Sequence, residues 1–250
     1  MTDRRLTELT GKDALGFLQG LVSNDVQRIA KGLGIVWTAL LTPQGKYLAD
    51  FFVVNTGAAL LLDMPEAQAD ATLRRLAMYR LRADVQLTPS PLNVQRGTSS
   101  APATALPDPR HPALGWRNYS ETALAEDSTD WDAIRVEHLI PQSGIELRAD
   151  ESYILENGFE RLNGVDFRKG CYVGQEVTAR MKHKTELRKG LTRLRIQGSA
   201  PIGTEIISEG KSAGQVFTQS GGRALAYLRF DRISAKMTAA EAALTPEDRS

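Results

Sequence analysis

The sequence predicts an α+β fold followed by a small C-terminal antiparallel β-barrel or sheet. Two observations predict it. In the N-terminal part a helix, a hairpin, a third strand and a second helix follow one another without the βαβ alternation of a doubly wound sheet. After Arg188, four short apolar strands come at close spacing. The length of 250 residues corresponds to one or two domains at ~150 residues each. Such a chain buries a core without needing disulfides or metals.

Each element has a local signal. Thr10-Gly11-Lys12-Asp13 resembles a capping box with Asp in the Glu position, and Ala14, Leu15, Leu18, Leu21 and Val22 then share one helical face. Asn24-Asp25 marks a turn. The apolar runs Leu33–Leu41 and Tyr47–Val54, joined by Thr42-Pro43-Gln44-Gly45, read as a hairpin. Asn55-Thr56-Gly57 turns into a strand over Ala58–Asp63. Pro65 opens a helix with an inward stripe of Leu73, Leu76, Ala77 and Leu81. Between Pro89 and Asp132 lie six of the eleven prolines and the stretch Gly97–Pro102, which predicts a surface linker or small excursion. Acidic residues Glu121, Glu126, Asp127, Asp130 and Asp132 follow. A helix over Trp131–Ile140 is stopped by Pro141. The C-terminal strands are Leu191–Ile196, Glu205–Ser208, Gly214–Gln219 and Ala224–Phe230, the last two turned by Gly221-Gly222. From Ser234 onward the alanine-rich, polar chain predicts a frayed tail.

Lys+Arg is 31 and Asp+Glu is 30, so the net charge of +1 excludes a globally basic nucleic-acid coat. The exception is Arg168–Arg195, where nine basic residues face two acids, Glu176 and Glu186, for a local +7. The single cysteine, Cys171, allows no intramolecular disulfide and no four-thiolate cluster from this chain alone. It fits a reducing compartment. No apolar run approaches the ~18 residues of a membrane span. The start lacks the apolar region of a signal peptide. These features predict a soluble, cytoplasmic protein without membrane contact, and a monomer.

The familiar catalytic motifs are absent. Gly210-Lys211-Ser212 lacks the upstream glycine of a phosphate loop, because position 205 is Glu. There is no dinucleotide fingerprint and no nucleophile elbow. His111, His138 and His183 show no metal-ligand spacing, so no metal site is expected. The informative string is Lys169-Gly170-Cys171-Tyr172-Val173-Gly174-Gln175-Glu176. Placed at the N-terminus of the helical stretch that follows, Cys171 would have its thiolate favoured by orphan amides, Arg168 and Lys169. The alternative is a small buried hydrophobe.

That octapeptide resembles the signature of the YgfZ family, relatives of the T-protein of the glycine cleavage system. Other strings are similar in the same order: Phe17–Gly20 through Asn24-Asp25, Leu41–Lys46 through Asp50–Phe52, and Arg135-Val136-Glu137 with Ile140-Pro141. Gln175–Arg180 through Arg188-Lys189 resembles the mitochondrial iron–sulfur assembly members. The resemblance implies a ring of small α+β domains around a channel that receives tetrahydrofolate or a one-carbon derivative. It implies a folate-binding region over residues 1–185, with 89–130 as a loop-rich excursion. A small barrel over 186–234 and a disordered tail over 235–250 complete the expectation.

The resemblance further implies site residues. Asn24, Asp25, Asp50, Glu137, Lys169, Tyr172, Gly174, Gln175, Glu176 and Arg180 would bind the folate, with Cys171 and Asp50 carrying any chemistry. A carboxylate can accept the adjacent amine and N–H of a pterin ring together, and the Arg-x-Glu glutamate of the T-protein makes Glu137 the candidate. The competing reading is a solvated glutamate paired with Arg135 or a neighbour. Asp50 lies on a strand apolar on both faces, so it needs a partner or a raised pKa. The T-protein has two consecutive aspartates there and this chain has Ala49-Asp50, a departure that weakens an aminomethyl-transfer reading.

Three functions follow. The first is a folate-binding accessory factor for assembly or repair of iron–sulfur proteins such as transfer-RNA-modifying enzymes, partnered by those proteins or by cluster-assembly factors. The second is a folate-dependent aminomethyl or one-carbon transferase or demethylase. The third is a transfer-RNA-binding module using the basic segment. Whether the protein turns over a substrate is left open.

Overall fold

A computed structural model describes residues 4–122, 128–184 and 186–247, and the chain forms two compact units. One holds the described residues up to Thr129 together with Glu160–Ala179. The other holds Asp130–Phe159 and the described residues from Arg180 onward.

The first unit is built on β1 (Arg4–Thr10), α1 (Ala14–Gln19), β2 (Gly34–Leu41), β3 (Tyr47–Asn55), β4 (Leu60–Pro65), α2 (Glu66–Arg80) and β5 (Gln86–Pro89). The strands form an antiparallel sheet in the order β2-β3-β4-β1-β5. The expected hairpin is β2–β3, closed by Gly45 N–H donating to Thr42 O at 2.9 Å. One sheet face, with Val36, Leu40, Phe51, Val53, Leu62 and Met64, shares a core with Leu18 of α1 and Ala69 and Leu76 of α2.

Three local expectations change. β1 was not anticipated, because only Leu6, Thr7 and Leu9 of it are buried and the alternation is too weak to read. Asp13 does not cap α1 with its side chain; its carboxylate accepts Asp84 N–H at 2.9 Å and ties the entry of β5. The buried stripe of α2 is Ala69, Thr72 and Leu76, so Ala77 and Leu81 point to solvent. Thr72 satisfies its hydroxyl on Gln68 O, which lets a polar residue occupy the core-facing phase.

The excursion is not merely a linker. β6 (Asn93–Gly97), β7 (Leu106–Pro107) and β8 (Trp116–Ser120) form a sheet in the order β6-β8-β7. Charge pairing holds it. Asp63 on β4 accepts from Arg4 Nε at 2.7 Å, Arg117 Nη1 at 3.0 Å and Tyr119 Oη at 2.8 Å. Arg117 also meets Asp108 at 3.3 Å and stacks 3.9 Å above the Phe52 ring. Burial alone would raise the Asp63 pKa, but Arg4 and Arg117 outweigh it and hold the carboxyl below its usual range. Of the acidic run, Glu126 and Asp127 lie outside the described residues.

The second unit contains α3 (Trp131–His138), a 3-10 turn over Leu155–Asn157, and six barrel strands. Before them, α4 (Gln175–Lys184) follows the cysteine string. The strands are β9 (Lys189–Gln197), β10 (Glu205–Ser208), β11 (Lys211–Ser220), β12 (Arg223–Arg229), β13 (Met237–Ala239) and β14 (Ala242–Pro246). They close in the order β10-β11-β12-β9-β14-β13 around Leu194, Ile206, Val216, Ala226, Leu228 and Leu244.

The expectation of a frayed tail from Ser234 is therefore corrected. β13 pairs with β10 and β14 with β9, and these two short strands complete the barrel. An open sheet would leave the edges of β9 and β10 unpaired. Val136 of α3 packs on Phe217 and Leu225 outside the barrel core. No helix among the described residues is long and apolar enough to cross a membrane.

Candidate functional site

The cysteine string lies in the first unit, in the loop between Asp166 and α4. Asp166 shapes its start. Its Oδ1 accepts the N–H groups of Arg168 at 2.6 Å and Lys169 at 3.2 Å, and its Oδ2 pairs with Arg28. The Asp166 N–H in turn donates to Ser23 O at 3.1 Å. Ser23 Oγ donates to Gly164 O at 2.7 Å, so the loop is laid along the turn that follows α1.

Lys169 fixes the loop further. Its Nζ donates to three backbone carbonyls: Gln19 at 2.8 Å, Val22 at 2.5 Å and Asn24 at 3.0 Å. An ammonium has three protons to give, and all are used. It also lies 4.9 Å from the Tyr172 ring centroid. Burial pushes the Lys169 pKa down to about 8, with Asp25 and Asp166 opposing. Lys169 is thus taken up by the fold and is not a free cation beside Cys171.

Gly174 fixes the other end. Its φ is +83°, and a Cβ there would meet Thr42 O at 2.6 Å and Leu41 Cβ at 2.9 Å. Gly45 of the hairpin turn, φ +74°, answers it: a Cβ there would meet Val177 Cβ at 2.9 Å. The two glycines let the hairpin turn and the start of α4 approach backbone to backbone. Gln175 N–H closes the turn on Tyr172 O at 3.2 Å. Glu176 lies in the first turn of α4, and Arg180 is further along it.

Cys171 is exposed between these two fixed points. It does not stand at the helix N-terminus as expected. Tyr172, Val173 and Gly174 separate it from α4, and the positive φ of Gly174 breaks the path. Nor is it a buried hydrophobe. Tyr172 beside it is buried, with a hydroxyl that finds no hydrogen-bond partner among the described residues. Burial raises its phenol to about 12, partly offset by the nearby Thr178 hydroxyl.

Asn24 and Asp25 serve the same turn. Asn24 Nδ2 donates to Trp37 O at 2.8 Å and Asn163 O at 2.6 Å, and its Oδ1 accepts the Asp25 N–H. Asp25 caps the 3-10 turn over Val26–Ile29 through Gln27 N–H at 3.0 Å. Asp50, buried on β3, accepts from Tyr47 Oη at 2.6 Å and Trp37 Nε1 at 2.8 Å. These side-chain donors answer the need for a partner.

Glu137 belongs to the second unit, at the end of α3. It pairs with Arg193 at 3.1 Å and with Arg223, and these arginines also hold Glu247. Sequence reasoning missed the better buried carboxylate of that unit. Glu146 meets Arg135 Nη1 at 3.1 Å, and Thr218 Oγ1 at 2.6 Å links the two. No periodic signal marks Glu146, because it lies in an irregular segment. Arg193 and Lys169 are both engaged within their units, so the +7 segment is not a single free cationic face.

A reduced pterin offers N–H donors beside a carbonyl acceptor. Asp50 is a hydrogen-bond acceptor held by Trp37 and Tyr47, and the Tyr172 hydroxyl has a proton to give. The donor and acceptor types fit. Among the described residues, no group of three or more His, Cys, Asp or Glu side chains gathers as for a metal ion.

Residues 188–249 match the family described as the C-terminal beta-barrel domain of CAF17. The mitochondrial iron–sulfur cluster assembly factor IBA57 homolog of Mycosarcoma maydis is 31% identical over 221 residues, covering 76% of this chain and 55% of that protein. IBA57 of Mus musculus is 28% identical over 274 residues, covering 92% and 76%. The chain thus spans about half the length of the fungal relative. These proteins are described as mitochondrial, which overturns the cytoplasmic expectation. The glycine cleavage system aminomethyltransferase T from Bartonella henselae superposes with a TM-score of 0.71 at 14% identity, over 99% of this chain and 83% of that one. That likeness shows a T-protein-like fold. Taken with the barrel match and the related sequences, it fits the resemblance read from the cysteine string: the chain is similar to the IBA57 assembly factors and has a T-protein-like fold.

Proposed function

We propose that this protein is an accessory factor in iron–sulfur cluster assembly, with Cys171 as its working thiol and a reduced folate as its ligand. The observation that carries the reading is the placement of Cys171. The only thiol of the chain is exposed on a loop pinned by Lys169 before it and Gly174 after it. A soft, accessible sulfur held in one position suits brief contact with a cluster or with a partner's thiol. The IBA57 names of the related proteins support the assembly role, and cluster-assembly proteins are the partners it implies.

Asp50 would accept N–H donors of the pterin and Tyr172 would donate to its carbonyl, with Glu137 the alternative carboxylate. When bound, tetrahydrofolate supplies a one-carbon acceptor. The protein's own residues orient it and keep Cys171 presented to partners.

Two measurements test this. In cells lacking the protein, activities of iron–sulfur enzymes should fall, and Cys171→Ser should fail to restore them although the variant folds. Full rescue by Cys171→Ser would remove the thiol from the mechanism. Calorimetry with tetrahydrofolate should show binding that weakens in Asp50→Asn and Glu137→Ala. No heat with the wild type would leave the assembly role standing without its folate.

A further inference from the structure

The second unit contains a cavity of about 560 Å³ that shares no residue with the site above. This volume lies within the range of small-molecule pockets. Leu187 and Met181 supply apolar wall, and Tyr227 of β12 supplies an aromatic ring. Glu156, 8% exposed, is the buried carboxylate in the lining. The Tyr227 hydroxyl donates to its Oε2 at 2.5 Å. Its Oε1 has no partner among the described residues, so one charged acceptor inside the cavity is left for an incoming donor.

The exposed part of the lining is cationic. Arg229 is neutralised by Asp231 at 3.0 Å, and Arg232 donates to Ser212 O. Among the described residues Arg188 and Lys189 hold no carboxylate, and Lys189 Nζ lies 5.5 Å from the Tyr227 ring centroid. With Arg229 neutralised, three cations (Arg188, Lys189 and Arg232) against Glu156 and Glu186 still leave the lining net positive. A buried acceptor, an apolar middle and a cationic mouth define a ligand with the complementary order of groups.

We propose that this cavity is a second ligand site, for a small amphiphile with an apolar ring body, an N–H donor that reaches Glu156 and an anionic group held by Arg188 and Lys189. The proposal is independent of the folate reading.

The probe is 8-anilinonaphthalene-1-sulfonate, which joins fused rings, one N–H and one sulfonate. Wild-type protein should give a saturable, blue-shifted emission. Leu187→Trp, which fills the cavity, and the pair Arg188→Glu with Lys189→Glu should each weaken binding by about tenfold or more, the latter with a reduced salt dependence. Circular dichroism and thermal melts confirm that both variants fold. Leu81→Ser removes the most exposed leucine among the described residues, 89% accessible and in the other unit, and should leave the emission unchanged. Binding that survives Leu187→Trp, or that is lost in Leu81→Ser, would overturn the proposal. So would displacement of the probe by tetrahydrofolate together with loss of folate binding in Leu187→Trp, because the cavity would then be the folate's own.

Discussion

The Lys169 ammonium donates to the backbone carbonyl of Asn24 at 3.0 Å, joining two strings that lie 145 residues apart in the chain. Each string is conspicuous in the sequence, and each is incomplete alone. The turn after α1 presents carbonyls with no helical partner, and the cysteine loop supplies the ammonium that satisfies them. Cys171 is presented by a clamp whose two halves come from opposite ends of the first unit.

Lys169→Met should destabilise the protein by about 2–4 kcal/mol, since three carbonyls lose a charged donor at once. Urea unfolding measures it. A loss below about 0.5 kcal/mol would mean that the clamp is filled by water without cost.

The same lysine sets a pH dependence. In the fold its proton leaves near pH 8, whereas an unfolded lysine keeps it to about 10.5. Between these values the unfolded chain binds more protons, so this contribution to stability rises with pH. Wild type should gain stability relative to Lys169→Met from pH 8 to about 10.5. A flat difference across that window would contradict the assignment.

Gly174→Ala should cost about 2–4 kcal/mol, combining a left-handed φ with a clash against Thr42 O. Gly144 supplies the control. Its φ is +80° but nothing lies within 4 Å of a Cβ there, so Gly144→Ala should cost only about 1 kcal/mol. Equal melting-temperature shifts for the two would dismiss the close approach.

Asp63→Asn should cost about 3–5 kcal/mol by stranding Arg4 and Arg117 around a neutral amide. Because the Asp63 pKa is lowered from 3.8, its contribution is complete above that value and is lost as pH falls below it. Acid unfolding of the wild type against Asp63→Asn should converge at the acid end.

Leu244→Ala should cost about 2–4 kcal/mol, because this side chain of β14 is 1% exposed inside the barrel. A stability unchanged within about 0.5 kcal/mol would restore the frayed-tail expectation.

The β2–β3 hairpin and strands β9, β11 and β12 were legible because they are long runs with apolar residues, and Pro-Gln-Gly and Gly-Gly turns mark two of the hairpins. The cysteine string was legible by composition. What sequence alone determines here is local: period, turn chemistry and a rare residue between glycines. Strands β13 and β14 are short and alanine-rich, so they read as a tail and gain their meaning only from the edges of β9 and β10. β8 reads as polar until Arg117 finds Asp63, a partner 54 residues away. Lys169 likewise reads as a cation for the Cys171 thiolate or the folate until the turn at Asn24 takes it in. Tertiary structure decided these cases because a charged side chain carries no local sign of its partner. Only the fold brings the two close enough, and dry enough, for the pairing to outweigh hydration.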